Sequence, residues 1–176
     1  MNRQQLEHVL RAAAAITGAD RFVVIGSQAI LGPHPDAPRE LVESMEVDLF
    51  SLRSPEDADL IDGSIGELSP FHRSFGYWAH GVGIETAVLP EGWQGRLIPI
   101  QNNQTNGAVG LCLEENDLAV SKLVAGREKD LTFVAALLLH GFAKAPVMQE
   151  RLAHTAIDAE RRAIATQRLA RLISTP

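Results

Sequence analysis

Two carboxylates stand two residues apart in Met45-Glu46-Val47-Asp48-Leu49-Phe50. Met45, Val47 and Leu49 alternate with Glu46, Asp48 and Phe50, which is the period of a β-strand. Residues i and i+2 of a strand project from one face, with Cβ atoms about 6–7 Å apart. Carboxylates so placed repel each other unless a cation sits between them. Oxygen ligands at that reach suit Mg2+ or Mn2+. The polar face of an edge strand is the plainer reading of the same pattern. A second set lies upstream, where the apolar run Arg21–Ile25 ends at Gly26-Ser27. A glycine and a small hydroxyl at a strand-to-helix turn let backbone N–H groups approach a phosphate. A simple tight turn would use the same residues.

Elements on either side must position these groups. Leu6, Val9, Leu10, Ala13 and Ile16 mark one face of a helix over residues 2–17, and Gly18 stops it. Residues 21–25 form a buried strand and 27–31 one or two helical turns. Three prolines at 33, 35 and 38 then impose a loop. Residues 45–50 form the acidic strand. Ser54-Pro55-Glu56-Asp57 has the pattern of a helix start, with Ser as N-cap and Pro behind it, and predicts a helix to about Leu68. Two further strands are expected at Gly81–Pro90 and Gly95–Ile100, and a short last one at 109–113. From Asn116 the period turns helical, with a break at Gly126, a stop at Gly141, a new helix at Pro146 and a final one over 157–173. Its expected inner side is Ile157, Ile164, Leu169, Leu172 and Ile173. The layout is α+β: a mixed sheet flanked by helices in residues 1–115, and a helical third in 116–176 packed on that core.

The 176 residues are 45% apolar and 22% charged, enough for a core and against wholesale disorder. No apolar stretch reaches the roughly 20 residues of a membrane span. The polar, periodic N-terminus does not read as a signal peptide, and the single Cys112 excludes an internal disulfide. These traits fit a soluble cytoplasmic chain. A net charge of −6 disfavours non-specific coating of nucleic acid. Residues 1–139 carry 10 Lys/Arg against 19 Asp/Glu, whereas residues 140–176 carry 6 against 3. The basic tail is either a solvated helix face or a docking surface for an anionic partner.

Other reactive residue types form no pattern. The six histidines, at 8, 34, 72, 80, 140 and 154, show no paired ligand spacing, so no zinc site is expected. Cys112 sits in an apolar run and reads as a small buried side chain. Tyr77, Trp78 and Trp93 could stack on a base or pack in the fold. Arg73 and Arg96 could touch phosphate or lie on the surface.

Taken in order, these strings resemble the nucleotidyltransferase superfamily that includes polymerase beta. Its pattern is hydrophobic-Gly-Ser, then acid-hydrophobic-acid-hydrophobic, then a third acid on a later strand. Here these stand as Ile25-Gly26-Ser27, Glu46-Val47-Asp48-Leu49 and Ile84-Glu85-Thr86. Asp117-Leu-Ala-Val-Ser-Lys122 and Arg127-Glu-Lys129-Asp130 also resemble segments of the abortive-infection, AbiEii-like nucleotidyltransferases, which often serve as toxins in toxin–antitoxin pairs. Residues 20–140 carry the resemblance.

It implies a fold, two metal ions (Mg2+ or Mn2+) held by Glu46 and Asp48 with Glu85 completing one metal site, and a nucleoside triphosphate as substrate. It also implies nucleotide contacts from Gly26, Ser27, Lys122 and Arg127. Asp130 would orient Lys122 or bind a nucleotide hydroxyl. The acceptor would be a hydroxyl of tRNA, another RNA or a protein, and a cognate antitoxin or a second copy would be the partner. A surface ion pair is the alternative for Lys122 and Asp130. A non-catalytic nucleotide-binding or antitoxin-like module is the alternative for the whole. Two structural expectations follow: Glu46, Asp48 and Glu85 converge at one end of the sheet with Gly26 facing them across a cleft, and a break between Ala125 and Lys129 lets Lys122 and Asp130 line the same cleft.

Overall fold

The computed structural model describes residues 1–54 and 56–174. Pro55, expected in the first turn of a helix, lies outside the described residues. The chain divides into two compact units. The first holds Met1–Thr86 and Leu97–Leu113; the second holds Ala87–Arg96 and the chain from Glu114 onward.

The first unit is built on a five-stranded mixed sheet. Its strands are β1 (Arg21–Val24), β2 (Glu46–Ser51), β3 (Trp78–Gly81), β4 (Ile98–Ile100) and β5 (Val109–Cys112), in the order β3-β2-β1-β5-β4. β1 runs antiparallel to β2 and parallel to β5; β2 and β3 are parallel. Helix α1 (Arg3–Thr17) begins where the Asn2 side chain accepts from Gln5 N–H and ends at Gly18. Its buried Leu6, Val9, Leu10 and Ala13 are the face read from the sequence. Each fully buried Leu or Val contributes about 1.5–3 kcal/mol. Leu10 packs so close to β5 that a Cβ at Gly110 would meet its Cδ1 at 2.5 Å.

Helix α2 (Asp57–Ile65) starts later than expected. Its N-cap is Glu56, which makes no side-chain cap hydrogen bond, and the Ser54 carbonyl accepts from Asp57 N–H at 2.9 Å. Gly66 stops the helix before Leu68. A further short helix, α3 (Pro70–Phe75), which the sequence reading does not include, is capped by Ser69, whose hydroxyl accepts from His72 N–H at 3.1 Å.

The expected strand over Gly81–Pro90 is corrected to Trp78–Gly81. Val82 still donates to Leu49 O at 3.0 Å, but Thr86 N–H then turns back to Gly83 O at 3.1 Å. Two glycines in Gly81-Val-Gly83 favour that turn, while Tyr77-Trp78 upstream are good strand formers. The strand expected over 95–100 is likewise only Ile98–Ile100, because Trp93–Arg96 forms a single tight helical turn.

The second unit is helical: α4 (Glu115–Ala125), α5 (Glu128–Leu139), α6 (Ala145–Ala153) and α7 (Ala159–Ser174). The expected break is present. Gly126 ends α4 with φ +67°, a conformation glycine adopts without strain. A Cβ there would also lie 2.0 Å from the Arg168 guanidinium. In α7 the buried residues are Ala165 and Leu169, whereas Ile164 and Ile173 are exposed, so the expected inner side is rotated. Arg168 donates to Leu123 O at 2.7 Å and Val124 O at 3.2 Å. Arg162 donates to Ala153 O at 2.7 Å and Thr155 O at 3.0 Å. Arg162 and Arg168, two of the six basic residues of the tail, therefore satisfy carbonyls at helix ends. Among the described residues, no helix is long and apolar enough to cross a membrane.

Candidate active site

Strand alternation puts Val47 and Leu49 inside and leaves Glu46 and Asp48 half-buried on the other face. Helix α2 covers the inner face: a Cβ at Gly81, which is paired with Leu49, would meet Ala58 O at 2.2 Å. The parallel register of β3 sets Trp78 beside Glu46 and His80 beside Asp48. These four side chains share one face. Asp62 of α2 accepts from Gly81 N–H at 2.8 Å, which pins the end of β3 next to His80.

His80 Nδ1 lies 3.2 Å from Glu46 Oε1 and 3.2 Å from Asp48 Oδ1. One ligand atom from each of the three residues falls within 4.8 Å of the others. Gly26 closes the other side. A Cβ on it would lie 2.0 Å from Asp48 Oδ2, so the carboxylate occupies the space a side chain would fill. Ile25 N–H bonds Asp48 O at 3.1 Å, holding the turn there. Ser27 opens a five-residue 3-10 turn, Ser27–Leu31, and is half-buried. Arg3 donates to Leu31 O at 2.6 Å and Gly32 O at 3.2 Å, so α1 anchors the far end of that turn. Two carboxylates and an imidazole, partly open to solvent, form a donor set fit for a divalent cation.

Glu85, expected as the third acid, is not brought into that group. It lies exposed in the turn Ile84–Thr86, its carboxylate folded toward Gly83. Gly81 ends the strand before the chain reaches it. His80 takes the third place. No histidine spacing pointed to it, because its partnership with Asp48 is a cross-strand register. Trp78 also joins this face, with its ring 4.3 Å from that of His72. Tyr77 and Trp93 are buried. Tyr77 OH lies 2.7 Å from His8 Nδ1. Cys112 is fully buried, and burial pushes its thiol up to about 12, the inert behaviour its apolar run suggested.

In the helical unit the motif charges meet one another. Lys122 Nζ lies 3.0 Å from Asp130 Oδ1, and Arg127 Nε lies 2.6 Å from Asp130 Oδ2. The break at Gly126 closes the roughly 12 Å that eight residues of continuous helix would leave. Burial pushes the Asp130 carboxyl up, but the Arg127 hydrogen bond and the Lys122 charge outweigh it and hold it below the usual carboxylate value. Asp117, also fully buried, accepts two hydrogen bonds from Arg96 at 2.8 and 2.9 Å. Arg151 Nη1 stands 3.1 Å away and also pairs with Glu114. Arg96 thus serves a buried carboxylate and not a free surface. Arg73 instead donates to Leu68 O at 2.5 Å.

A family model described as "Nucleotidyltransferase of unknown function (DUF6036)" matches residues 4–171. No curated protein and no solved structure matches the chain.

Proposed function

The chain belongs to that family of nucleotidyltransferases of unknown function, and from this premise we propose that it moves a nucleoside monophosphate from a nucleoside triphosphate to a hydroxyl of an RNA or protein acceptor, with a divalent cation bound. The observation that carries the reading is the group Glu46, Asp48 and His80 set against Gly26. In the transfer, the acceptor oxygen bonds to the α-phosphorus, the bond from that phosphorus to pyrophosphate breaks, and the hydroxyl proton leaves to solvent. Glu46 and Asp48 would hold the cation, which would supply neutralisation of charge developing on the phosphate oxygens. Gly26 keeps the Asp48 carboxylate in one place. Ser27 offers a hydroxyl and a backbone N–H to phosphate oxygens.

Family resemblance extends the proposal to Lys122, which would exchange Asp130 for triphosphate oxygens. Arg127 would keep the buried Asp130 paired during that exchange. The same resemblance supports a toxin-like role with an antitoxin partner. Growth arrest on expression of wild type, and not of Glu46→Ala/Asp48→Ala, is the result expected of it.

The test of the activity is incubation with labelled nucleoside triphosphates, Mg2+ or Mn2+, and tRNA or cell extract. Wild type transfers label and Glu46→Ala/Asp48→Ala does not; equal behaviour of the two removes the assigned catalysis. The position of Glu85 favours a second reading, a module that binds nucleotide without turnover. Calorimetry with triphosphate and metal separates them: binding without label transfer selects the module, and no binding removes both.

A further inference from the structure

We infer that His80 is the third protein ligand of the cation site and that it tunes the site toward Mn2+ over Mg2+. The inference rests on reading Glu46 and Asp48 as a metal pair and adds a residue that the resemblance did not assign. Three observations carry it. First, the β2–β3 register places His80 directly across from Asp48, on the face that bears both acids. Second, its Nδ1 is equidistant, at 3.2 Å, from one oxygen of each acid. A ring nitrogen that merely paired with one carboxylate would not need to lie between two. Third, the acid expected to complete the set, Glu85, is exposed in a turn outside the group.

The position is also rigid, which a ligand requires. Gly81, next in the chain, is fixed by the Asp62 hydrogen bond and by contact with Ala58 backbone. Asp48 is fixed by the missing side chain of Gly26. The arrangement therefore arrives preformed, with little ordering left for binding.

The chemical consequence follows from the donor set. Three carboxylates would suit Mg2+, which favours oxygen and retains water. Replacing one with imidazole disfavours Mg2+; Mn2+ shares its liking for carboxylate oxygen but is a first-row transition metal, for which a nitrogen donor costs less. Substituting even an outer partner of a metal ligand typically costs about 10–100-fold in affinity, so a direct ligand should cost at least as much.

The experiment titrates Mn2+ and, separately, Mg2+ into the full chain and reads bound Mn2+ by pulsed EPR. Circular dichroism confirms the fold of each variant. Wild type should bind Mn2+ more tightly than Mg2+ and show nitrogen-14 coupling from one imidazole. His80→Ala should lose that coupling and tenfold or more of Mn2+ affinity, with Mg2+ affinity much less changed. His80→Asp should raise Mg2+ affinity above that of wild type without restoring the coupling. Mn2+ bound by wild type without nitrogen coupling, or with coupling that persists in His80→Ala, overturns the inference and leaves the metal pair standing. Absence of any Mn2+ binding, with or without a non-hydrolysable triphosphate, overturns the metal pair and this inference together.

Discussion

Glu46 and Asp48 keep side chains 38% and 32% exposed and have one imidazole lying between them. Asp117 and Asp130 are fully buried, and each meets two cationic side chains. All four are acids on regular elements of the same chain. What separates them is compensation. In the helical unit each carboxylate is paired as soon as the chain folds, because an isolated buried charge is costly. On the sheet two like charges are held close around one imidazole and stay partly open to solvent, an arrangement that a divalent cation from solution would stabilise. The buried pairs hold the fold together, and the half-exposed acids are where we propose the chemistry.

The sharpest way to break this comparison is to remove each kind of acid and read both properties. Glu46→Ala/Asp48→Ala should lower nucleotidyl transfer by roughly a thousandfold or more, the scale of several kcal/mol of lost metal assistance. Its stability in urea should stay within about 0.5 kcal/mol of wild type, since no paired buried charge is lost. Asp117→Ala should do the reverse in kind. Arg96 would lose its carboxylate and Arg151 would keep only Glu114, and removing one member of a buried pair costs about 3–5 kcal/mol. The low end is expected, because Arg96 is 30% exposed. A large stability loss in the strand variant, or none in Asp117→Ala, would erase the distinction. A smaller effect belongs to Gly126→Ala, which forces a side chain into the left-handed region at about 1–2 kcal/mol and displaces the Arg168 guanidinium. Chemical denaturation reads that loss.

Much of this was legible in the residues and some was not. The acid-x-acid strand, the Gly-Ser turn and the break at Gly126 are local signals, written in period and in a single residue's conformational freedom. Ser69-Pro70 was equally local and marked α3 in the same way that Ser54-Pro55 suggested α2. The place of His80 was not local. It depends on which residues of β3 stand beside β2, and a strand displaced by three residues moves Glu85 toward the acids and His80 away from them. Pairing of Asp117 with Arg96 and Arg151 had no sequence signal either, because the partners are 21 and 34 residues distant. Lys122 and Asp130 became a pair only through the turn at Gly126.

Lys122 allows the finest test, because it belongs to the paired region while the family resemblance assigns it to nucleotide. Its side chain is 15% exposed and Asp130 is fully buried. Lys122→Ala leaves Asp130 with Arg127, so the carboxylate is not orphaned, and the loss should be about 1.5–3 kcal/mol, that of one hydrogen bond to a charged group. The acid side of the stability curve carries a second readout. Because the folded Asp130 carboxyl is held below its usual value, its contribution is complete above the ordinary carboxylate pKa of about 4 and fades as pH falls through the lowered one. Lys122→Ala removes one of the two lowering partners. Its acid unfolding should therefore begin at higher pH than in wild type, while Asp130→Asn should remove that one group's share of the limb. Triphosphate affinity, measured by calorimetry under the same conditions, then decides to which region the lysine belongs. The expected outcome is weaker binding with a native circular dichroism spectrum. Unchanged affinity, with only the acid limb shifted, would assign Lys122 wholly to the buried pair and leave the chemistry to the strand acids.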